Sequence, residues 1–181
     1  AEVLGYGVPD FWGLPDRGVL YGEALVARII RTLDECGAQV LYAPSLWEIH
    51  PDHRALALAA REAVRRQGHG VLMGYEIGAA LRPNRLVDIT PVLETKRAAM
   101  QCFGPQLALQ AYDRHVEALN VFRSYTLPSA VQAAEAFEQA DAPTLRARGQ
   151  AFFESEYERQ RDSRLMLLPE DADLVSILIR S

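Results

Sequence analysis

The feature that most restricts the fold is an alternation of short β-rich runs with amphipathic helical segments in the first half of the chain. Apolar residues recur at helical spacing from Gly22 to Cys36, and Gly37 follows as a helix stop. The next run, Gln39–Ala43, is rich in strand-forming residues and ends at Pro44. This order predicts a helix that leads directly into a strand.

The same pattern repeats further along the chain. Apolar residues at helical spacing between positions 56 and 64 predict a second helix, and Val71–Ile77 predicts another short strand. Strands that alternate with helices indicate βαβ units on a parallel sheet, and ligand sites of such sheets lie beyond the carboxyl ends of the strands. The loops after Leu14, Ala43 and Tyr75 are therefore the expected places for a site.

Further elements are predicted on either side of these units. The apolar run Asp10–Pro15 predicts a buried strand that delivers a loop at Asp16, and Leu86–Ile89 predicts one more strand. From Thr90 onward the sequence predicts helices that cover the sheet. Their predicted ranges are Val92–Phe103, Gln106–Tyr125 and Ala130–Gln139.

Together these elements predict an α/β fold in three layers: a Rossmann-like, mostly parallel sheet flanked by helices, with a helical C-terminal extension. The segment 142–164 is rich in charge and glutamine, which predicts a domain boundary near Ala140. Residues 1–140 would form the main domain and residues 141–181 a helical linker with a terminal strand. The run Leu174–Ile179 is either the last strand of this sheet or a stub of a following domain.

Composition excludes several classes of protein. The net charge is -5 and the positive charges are interspersed with acidic ones, so the basic stripe that tracks nucleic acid is missing. No apolar run approaches the roughly 18–20 residues of a membrane-spanning helix, so no membrane partner is expected. Cys36 and Cys102 have no paired spacing. These observations favour a cytoplasmic protein without nucleic-acid partners.

The sequence His50-Pro51-Asp52-His53 stands where a predicted strand ends and a helix begins. The two histidines, three residues apart, can face one cavity from a loop and a first helical turn, and Asp52 can cap the helix or orient an imidazole. Catalytic zinc takes three protein ligands and a water, so this cluster needs completion from elsewhere. The alternative is that Asp52 is an ordinary N-cap and His50 a surface loop residue.

The stretch that contains this cluster, YAPSLWEIHPDHRALALAA, resembles the second signature of the PIG-L/LmbE-type zinc-dependent N-deacetylases. Other stretches are similar to the same family: WGLPD, Tyr75-Glu76, RPNRLVDIT, and Glu94-Thr95-Lys96 followed by Gln106. The resemblance covers about residues 1–140, and HPDH with its flanks is the most specific part of it.

The resemblance implies roles for the cluster. The last histidine of the motif, His53, would be a zinc ligand. His50 would stabilise the oxyanion or protonate the leaving amine, with Asp52 fixing its tautomer. The remaining ligands and the general base come from an AHPDDE-like motif on the family's first strand, and this motif is absent from the sequence. Taken alone, the chain is therefore expected to bind zinc poorly and to be inactive.

Four further residues are candidates for substrate binding. Glu76, at a strand end, would contact a sugar hydroxyl or remain a solvated carboxylate. Arg85 and Lys96 would neutralise a carboxylate or phosphate of the substrate, or serve as surface charges. Asp16, expected at the carboxyl end of a strand, is the strongest of the four candidates.

Two functions of different class remain open. The first is a zinc-dependent hydrolase that removes an N-acetyl group from an N-acetylglucosamine-like sugar or glycoconjugate. The second is a non-catalytic, degenerate deacetylase-like binding or scaffold module attached to a glycosyltransferase, because ADLVSILIRS resembles the first strand of a family-2 type glycosyltransferase domain. An exposed sheet edge would also favour homo-oligomers.

Overall fold

A computed structural model describes residues 2–149 of the chain. The run Leu174–Ile179 and the linker segment from residue 150 onward lie outside the described residues. The strands form one sheet in the order β1-β2-β4-β3. The bounds of the strands are Val40–Pro44 for β1, Val71–Tyr75 for β2, Arg85–Asp88 for β3 and Ala134–Asp141 for β4.

Helices flank this sheet, which confirms the predicted α/β class. A short 3-10 turn, Thr90–Val92, precedes the third helix. The bounds of the helices are Glu23–Cys36 for α1, Pro51–Gln67 for α2, Leu93–Met100 for α3, Gly104–Leu109 for α4, Tyr112–Arg123 for α5 and Ala142–Arg148 for α6. The helix stop predicted at Gly37 is confirmed, because this glycine adopts the left-handed conformation with φ of 60°.

Within the described residues the sheet is mixed rather than mostly parallel. β1 and β2 are parallel, but β4 runs antiparallel to both of its neighbours, β2 and β3. β1 and β3 are therefore the edge strands of the described sheet. Homo-oligomer formation through such an edge stays a prediction, as does the division of the chain near Ala140, a residue that lies within β4.

Strand β4 corrects the prediction of a helix over Ala130–Gln139. Its sequence, AEAFEQAD, consists mostly of good helix formers, so local propensity favoured the wrong element. In the fold this segment pairs with a strand on each side, and its small residues Ala136 and Ala140 are almost completely buried. Pairing and burial in the sheet outweigh the intrinsic preference for helix.

Two other predictions about secondary structure are wrong. Residues Asp10–Pro15 contain no strand, and Phe11 in this run is 83% exposed. Gly13 in the same run has φ of 64°, which interrupts an extended backbone. The helix predicted over Gln106–Tyr125 is split into α4 and α5, because Gln110 between them is fully extended.

The main core lies between α2 and the sheet. Leu58 of α2 meets Leu72 of β2, and Leu145 of α6 joins the same cluster. Helix α1 packs on α2 through a second apolar cluster that includes Val26 and Ile29. This arrangement fixes the start of α2, and with it the histidine cluster, against the carboxyl end of β1.

The opposite face of the sheet carries α5. Asn120 of α5 donates a hydrogen bond from Nδ2 to the carbonyl oxygen of Ala134 in β4, at 3.1 Å. The alternation of side chains along a strand puts Tyr42, Tyr75 and Phe137 on this face. Within residues 2–149, no helix has both the length and the apolar character needed to cross a membrane.

We expect Leu58→Ala to lower the free energy of unfolding by about 2–5 kcal/mol, because the side chain fills the core between α2 and the sheet. Leu58 is completely buried, with 0% exposure. Leu109→Ala is the matched control, since Leu109 is 85% exposed. Urea denaturation of both variants measures the difference, and equal stabilities would contradict this position for α2.

A buried carboxylate links α2 to α1. Glu62 accepts hydrogen bonds from Arg65 at 2.6 and 2.7 Å and from Arg66, and Arg66 also binds Glu23 of α1 at 2.7 Å. Burial raises the pKa of Glu62, but the hydrogen bonds and charges of the two arginines outweigh burial and hold this pKa below its usual value of 4.5.

Glu62→Gln is therefore expected to lower the free energy of unfolding at neutral pH by about 1–3 kcal/mol. Because the pKa of Glu62 is lower in the folded than in the unfolded protein, its contribution is complete above a pH of about 4.5 and is lost as the pH falls through the folded-state pKa. The stability difference between the two proteins, measured by urea denaturation across this range, should shrink in acid. A difference independent of pH would contradict the assignment.

Candidate functional site

The histidine cluster lies in the loop between β1 and α2, next to the loop after β2. Because β1 and β2 are parallel, their carboxyl ends meet at one edge of the sheet, and the Ser45 N–H extends their ladder to the carbonyl of Tyr75 at 2.9 Å. Ser45 Oγ accepts a hydrogen bond from the Trp47 N–H at 3.1 Å, and Arg54 donates to the carbonyl of Glu48 at 2.9 Å. These bonds brace the loop that carries the cluster.

His50 is the N-cap of α2, a position for which the sequence had offered Asp52 as one alternative. Its Nδ1 accepts a hydrogen bond from the backbone N–H of Asp52 at 3.3 Å. In a neutral imidazole this leaves the proton on Nε2, which lies 3.5 Å from Oδ1 of Asp16. His50 therefore presents an N–H donor toward the site, in a tautomer set by the Asp52 backbone rather than by its carboxylate.

His53 has the opposite arrangement. Its Nδ1 lies 3.4 Å from Oε2 of Glu48, a carboxylate that can only accept a hydrogen bond when ionised. In a neutral imidazole, Nδ1 of His53 must then carry the proton, and Nε2 carries the free lone pair. This is the tautomer of a histidine that binds a metal through Nε2 while a carboxylate orients the ring.

Glu48 is the buried residue on which this arrangement depends. It is 2% exposed, and its two oxygens also accept hydrogen bonds from the N–H groups of Ile77 at 2.7 Å and Gly78 at 2.9 Å. Burial raises the pKa of Glu48, but the bonds from His53, Gly78 and Ile77 outweigh it and hold the pKa below its usual value. The carboxylate is thus kept ionised.

The two imidazole rings stand side by side with different chemical properties. Their centroids are 4.9 Å apart, and about a third of each side chain is exposed, 32% for His50 and 33% for His53. His50 presents a donor and His53 a lone pair. A ligand between them would meet one group that gives a hydrogen bond and one group that can bind a cation.

Asp52 uses its carboxylate to hold the loop that contains Asp16. Its oxygens accept hydrogen bonds from the backbone N–H groups of Arg17 at 2.7 Å and Val19 at 3.2 Å. Arg17 has a positive φ of 57°, a conformation that residues other than glycine rarely adopt. The hydrogen bonds to Asp52 therefore bring Asp16 to the site. The strand Asp10–Pro15, which was predicted to do so, is absent.

Asp16, His50 and Asp52 together form a group that could hold a metal ion, since one ligand atom from each lies within 4.8 Å of the others. The chemistry of this set fits a metal only in part. For His50 Nε2 to act as a ligand, its proton would have to move to Nδ1, and this would break the bond from the Asp52 N–H. His53 Nε2 requires no such change, so it is the better ligand among these residues.

Asp52→Ala is expected to release the loop around Arg17, because two backbone N–H groups lose their acceptor. Hydrogen exchange of the Arg17 and Val19 amides should become faster in the variant, while exchange in the centre of α2 stays close to wild type. Asp34→Ala, which changes an exposed acidic residue of α1, is the control. Unchanged exchange at both amides would show that the carboxylate does not hold the loop.

Two of the three remaining substrate candidates, Glu76 and Lys96, line one cavity. The Glu76 side chain is 6% exposed and forms an ion pair with Arg123, and it also accepts a hydrogen bond from the Leu81 N–H at 2.8 Å. Lys96 pairs with Glu135 of β4. Arg85 is an exposed residue at the start of β3. Only Asp16 of the four candidates makes direct contact with the histidine cluster, and a substrate-binding role for any of them stays a prediction.

A cavity of about 550 Å³ adjoins the loop after β2, on the face of the sheet that carries α5. Its walls include four aromatic residues, and Tyr75 and Ile77 belong both to this wall and to the strand end beside Glu48. Burial, and to a lesser degree the negative charge of Glu48, raise the pKa of Tyr75. The aromatic residues of the wall are Tyr6, Tyr42, Tyr75 and Phe137.

The residue that sequence reasoning missed is Glu48. Its signal was a single carboxylate between two large apolar residues, Trp47 and Ile49, in the loop that follows a predicted strand. A charge in such surroundings needs partners. The sequence, however, does not show which backbone N–H groups or which histidine would supply them.

No family model matches the sequence. Among solved structures, a conserved protein from Thermus thermophilus superposes with a TM-score of 0.68 at 23% identity, covering 76% of this chain and 67% of that chain. GalB, the 4-carboxy-2-hydroxymuconate hydratase from Pseudomonas putida, gives a TM-score of 0.63 at 23% identity, with 77% and 67% covered.

A third similar structure is the N,N'-diacetylchitobiose deacetylase from Pyrococcus horikoshii in complex with an inhibitor. It gives a TM-score of 0.64 at 18% identity, with 78% of this chain and 60% of that chain covered. At these identities the likeness shows a shared fold. The chain therefore has the α/β fold found in a deacetylase, in a hydratase and in the Thermus protein.

Proposed function

We propose that this chain forms part of a metal-dependent N-deacetylase that acts on a small N-acetylated sugar or glycoconjugate. The observation that carries the proposal is the pair of neighbouring histidines with opposite tautomers, His50 as a donor and His53 as a lone-pair ligand. Amide hydrolysis at a metal centre needs both groups, one to hold the ion and one to stabilise the oxygen on which negative charge develops.

His53 is the ligand that this chain supplies. Its Nδ1–H points to Glu48, so Nε2 is available without any change of tautomer. When bound, zinc would lower the pKa of a water molecule and polarise the substrate carbonyl. The HPDH motif resembles that of the PIG-L/LmbE-type deacetylases, in which the same histidine is a ligand.

His50 supplies the complementary donor. Its Nε2–H can donate a hydrogen bond to the carbonyl oxygen of a bound amide, and this bond strengthens as negative charge develops there. In the absence of substrate the same atom lies near Asp16 Oδ1, at 3.5 Å. Substrate would take the place of the Asp16 carboxylate beside His50 Nε2. The Asp16 side chain is 83% exposed and can therefore move at low cost.

The aromatic cavity supports a sugar-like substrate. Aromatic side chains bury the apolar faces of sugar rings while the ring hydroxyls keep polar partners. The cavity begins at Tyr75 and Ile77, directly beside the loop held by Glu48. The deacetylase among the similar structures acts on an N-acetylated sugar according to its name, which agrees with this choice of substrate class.

The second candidate is a non-catalytic binding or scaffold module, as expected for a degenerate relative attached to a glycosyltransferase. The observation that favours it is the small number of metal ligands. Within residues 2–149, His53 is the only histidine in which a carboxylate faces Nδ1 and leaves Nε2 available for a metal. A complete centre needs further ligands and a general base in addition to this histidine.

The test compares zinc content and deacetylation of N-acetylglucosamine conjugates in the full-length natural protein and in this chain. The proposal predicts stoichiometric zinc and activity in the full-length protein. His53→Ala should abolish both, His50→Ala should lower kcat by about 100-fold or more while zinc is retained, and His69→Ala should change neither. A full-length protein that contains no zinc and has no activity would instead support the binding module.

A further inference from the structure

We propose that Glu48 is the positioning residue of this site: it fixes the Nδ1–H tautomer of His53 and ties that ring to the loop after β2. The inference deepens the proposed function and rests on it for its catalytic meaning. The residue itself would touch neither substrate nor ion. It would act through His53 by deciding which ring nitrogen carries the lone pair.

Three donors converge on this one carboxylate. Oε1 accepts the Ile77 N–H at 2.7 Å, while Oε2 accepts the Gly78 N–H at 2.9 Å and faces His53 Nδ1 at 3.4 Å. All three partners direct a hydrogen toward the two oxygens. A side chain at this position must therefore accept at both of its terminal atoms.

Only a carboxylate meets that requirement at this length. The amide of glutamine has the same shape, but it offers one accepting oxygen and places an NH₂ group against a donor on the other side. In Glu48→Gln, the two backbone N–H groups are fixed by the loop, whereas the imidazole of His53 can move its proton. When the amide oxygen faces Ile77, the NH₂ group faces both Gly78 and His53, and His53 can accept from that group only if its proton moves to Nε2.

If Glu48 served only to hold the loop after β2, it would not need the contact with His53. Glu76 shows what a carboxylate of this region without a histidine partner looks like: its side chain is 6% exposed, it accepts the Leu81 N–H at 2.8 Å and it pairs with Arg123. Its described partners include no histidine. Glu48 combines a similar hold on a loop with a bond to a ring in the site, so Glu76→Gln is the matched control for the loss of a buried carboxylate.

The experiment is a long-range ¹H–¹⁵N correlation spectrum of the imidazoles. It is recorded at a pH of about 8.5, which is above the pKa of ~6.5 of an unperturbed histidine. This spectrum separates a ring nitrogen with a proton from one with a lone pair. The chain has four histidines, and single substitutions assign their signals. The measurement requires neither a metal nor activity, so it is independent of whether the proposed reaction is correct.

The proposal predicts that His53 is protonated at Nδ1 and His50 at Nε2 in the wild-type chain. Glu48→Gln should shift His53 toward the Nε2–H tautomer and leave His50 unchanged, and Glu76→Gln should leave both rings unchanged. In the full-length protein, Glu48→Gln should also weaken zinc binding by about 10–100-fold in a chelator competition.

Two results would overturn the inference. One is a wild-type spectrum in which His53 already carries its proton on Nε2, and this result does not depend on how well any variant folds. The other is a folded Glu48→Leu variant, as judged by circular dichroism, in which the tautomer of His53 is unchanged although residue 48 offers no acceptor. If the tautomers are as stated but the full-length protein has no activity, the positioning role stands and the proposed reaction fails.

Discussion

The parallel pairing of β1 with β2 is the constraint on which the rest of the site depends. It brings the loop before α2 and the loop after β2 to the same edge of the sheet, and the Ser45 N–H closes the gap with a hydrogen bond to the Tyr75 carbonyl. Glu48 then fills the space between the two loops. Without this pairing, the three donors that surround Glu48 would not meet, and a buried charge would have no partners.

The sequence allowed the helices and strands between residues 22 and 77 to be predicted, because the helices have a clear apolar period and the strands are rich in strand-forming residues. Helix α1 with its stop at Gly37, strand β1 and helix α2 all follow from that pattern. Strand β4 could not be predicted in this way. Its alanine and glutamate residues favour a helix, and only pairing with distant strands on both sides makes the segment extended.

The site was predictable to a similar extent. The HPDH sequence and its place between a strand and a helix identified His50, Asp52 and His53, and a group that could hold a metal ion includes two of these residues together with Asp16. The separate roles of these residues were not predictable. Whether the Asp52 backbone or its carboxylate meets His50 depends on the helix cap, and the position of Asp16 depends on a loop fold stabilised across 33 to 35 residues of sequence.

The opposite tautomers of His50 and His53 are the centre of this account, because the proposed roles of His53 as a metal ligand and of His50 as a hydrogen-bond donor rest on them. The most direct test is a crystal structure of the zinc-loaded protein with anomalous data at the zinc edge. The account predicts an ion about 2.0–2.1 Å from Nε2 of His53, with Nδ1 of His50 still capping α2. An ion held by Asp16, His50 and Asp52, with His53 unbound, would contradict it.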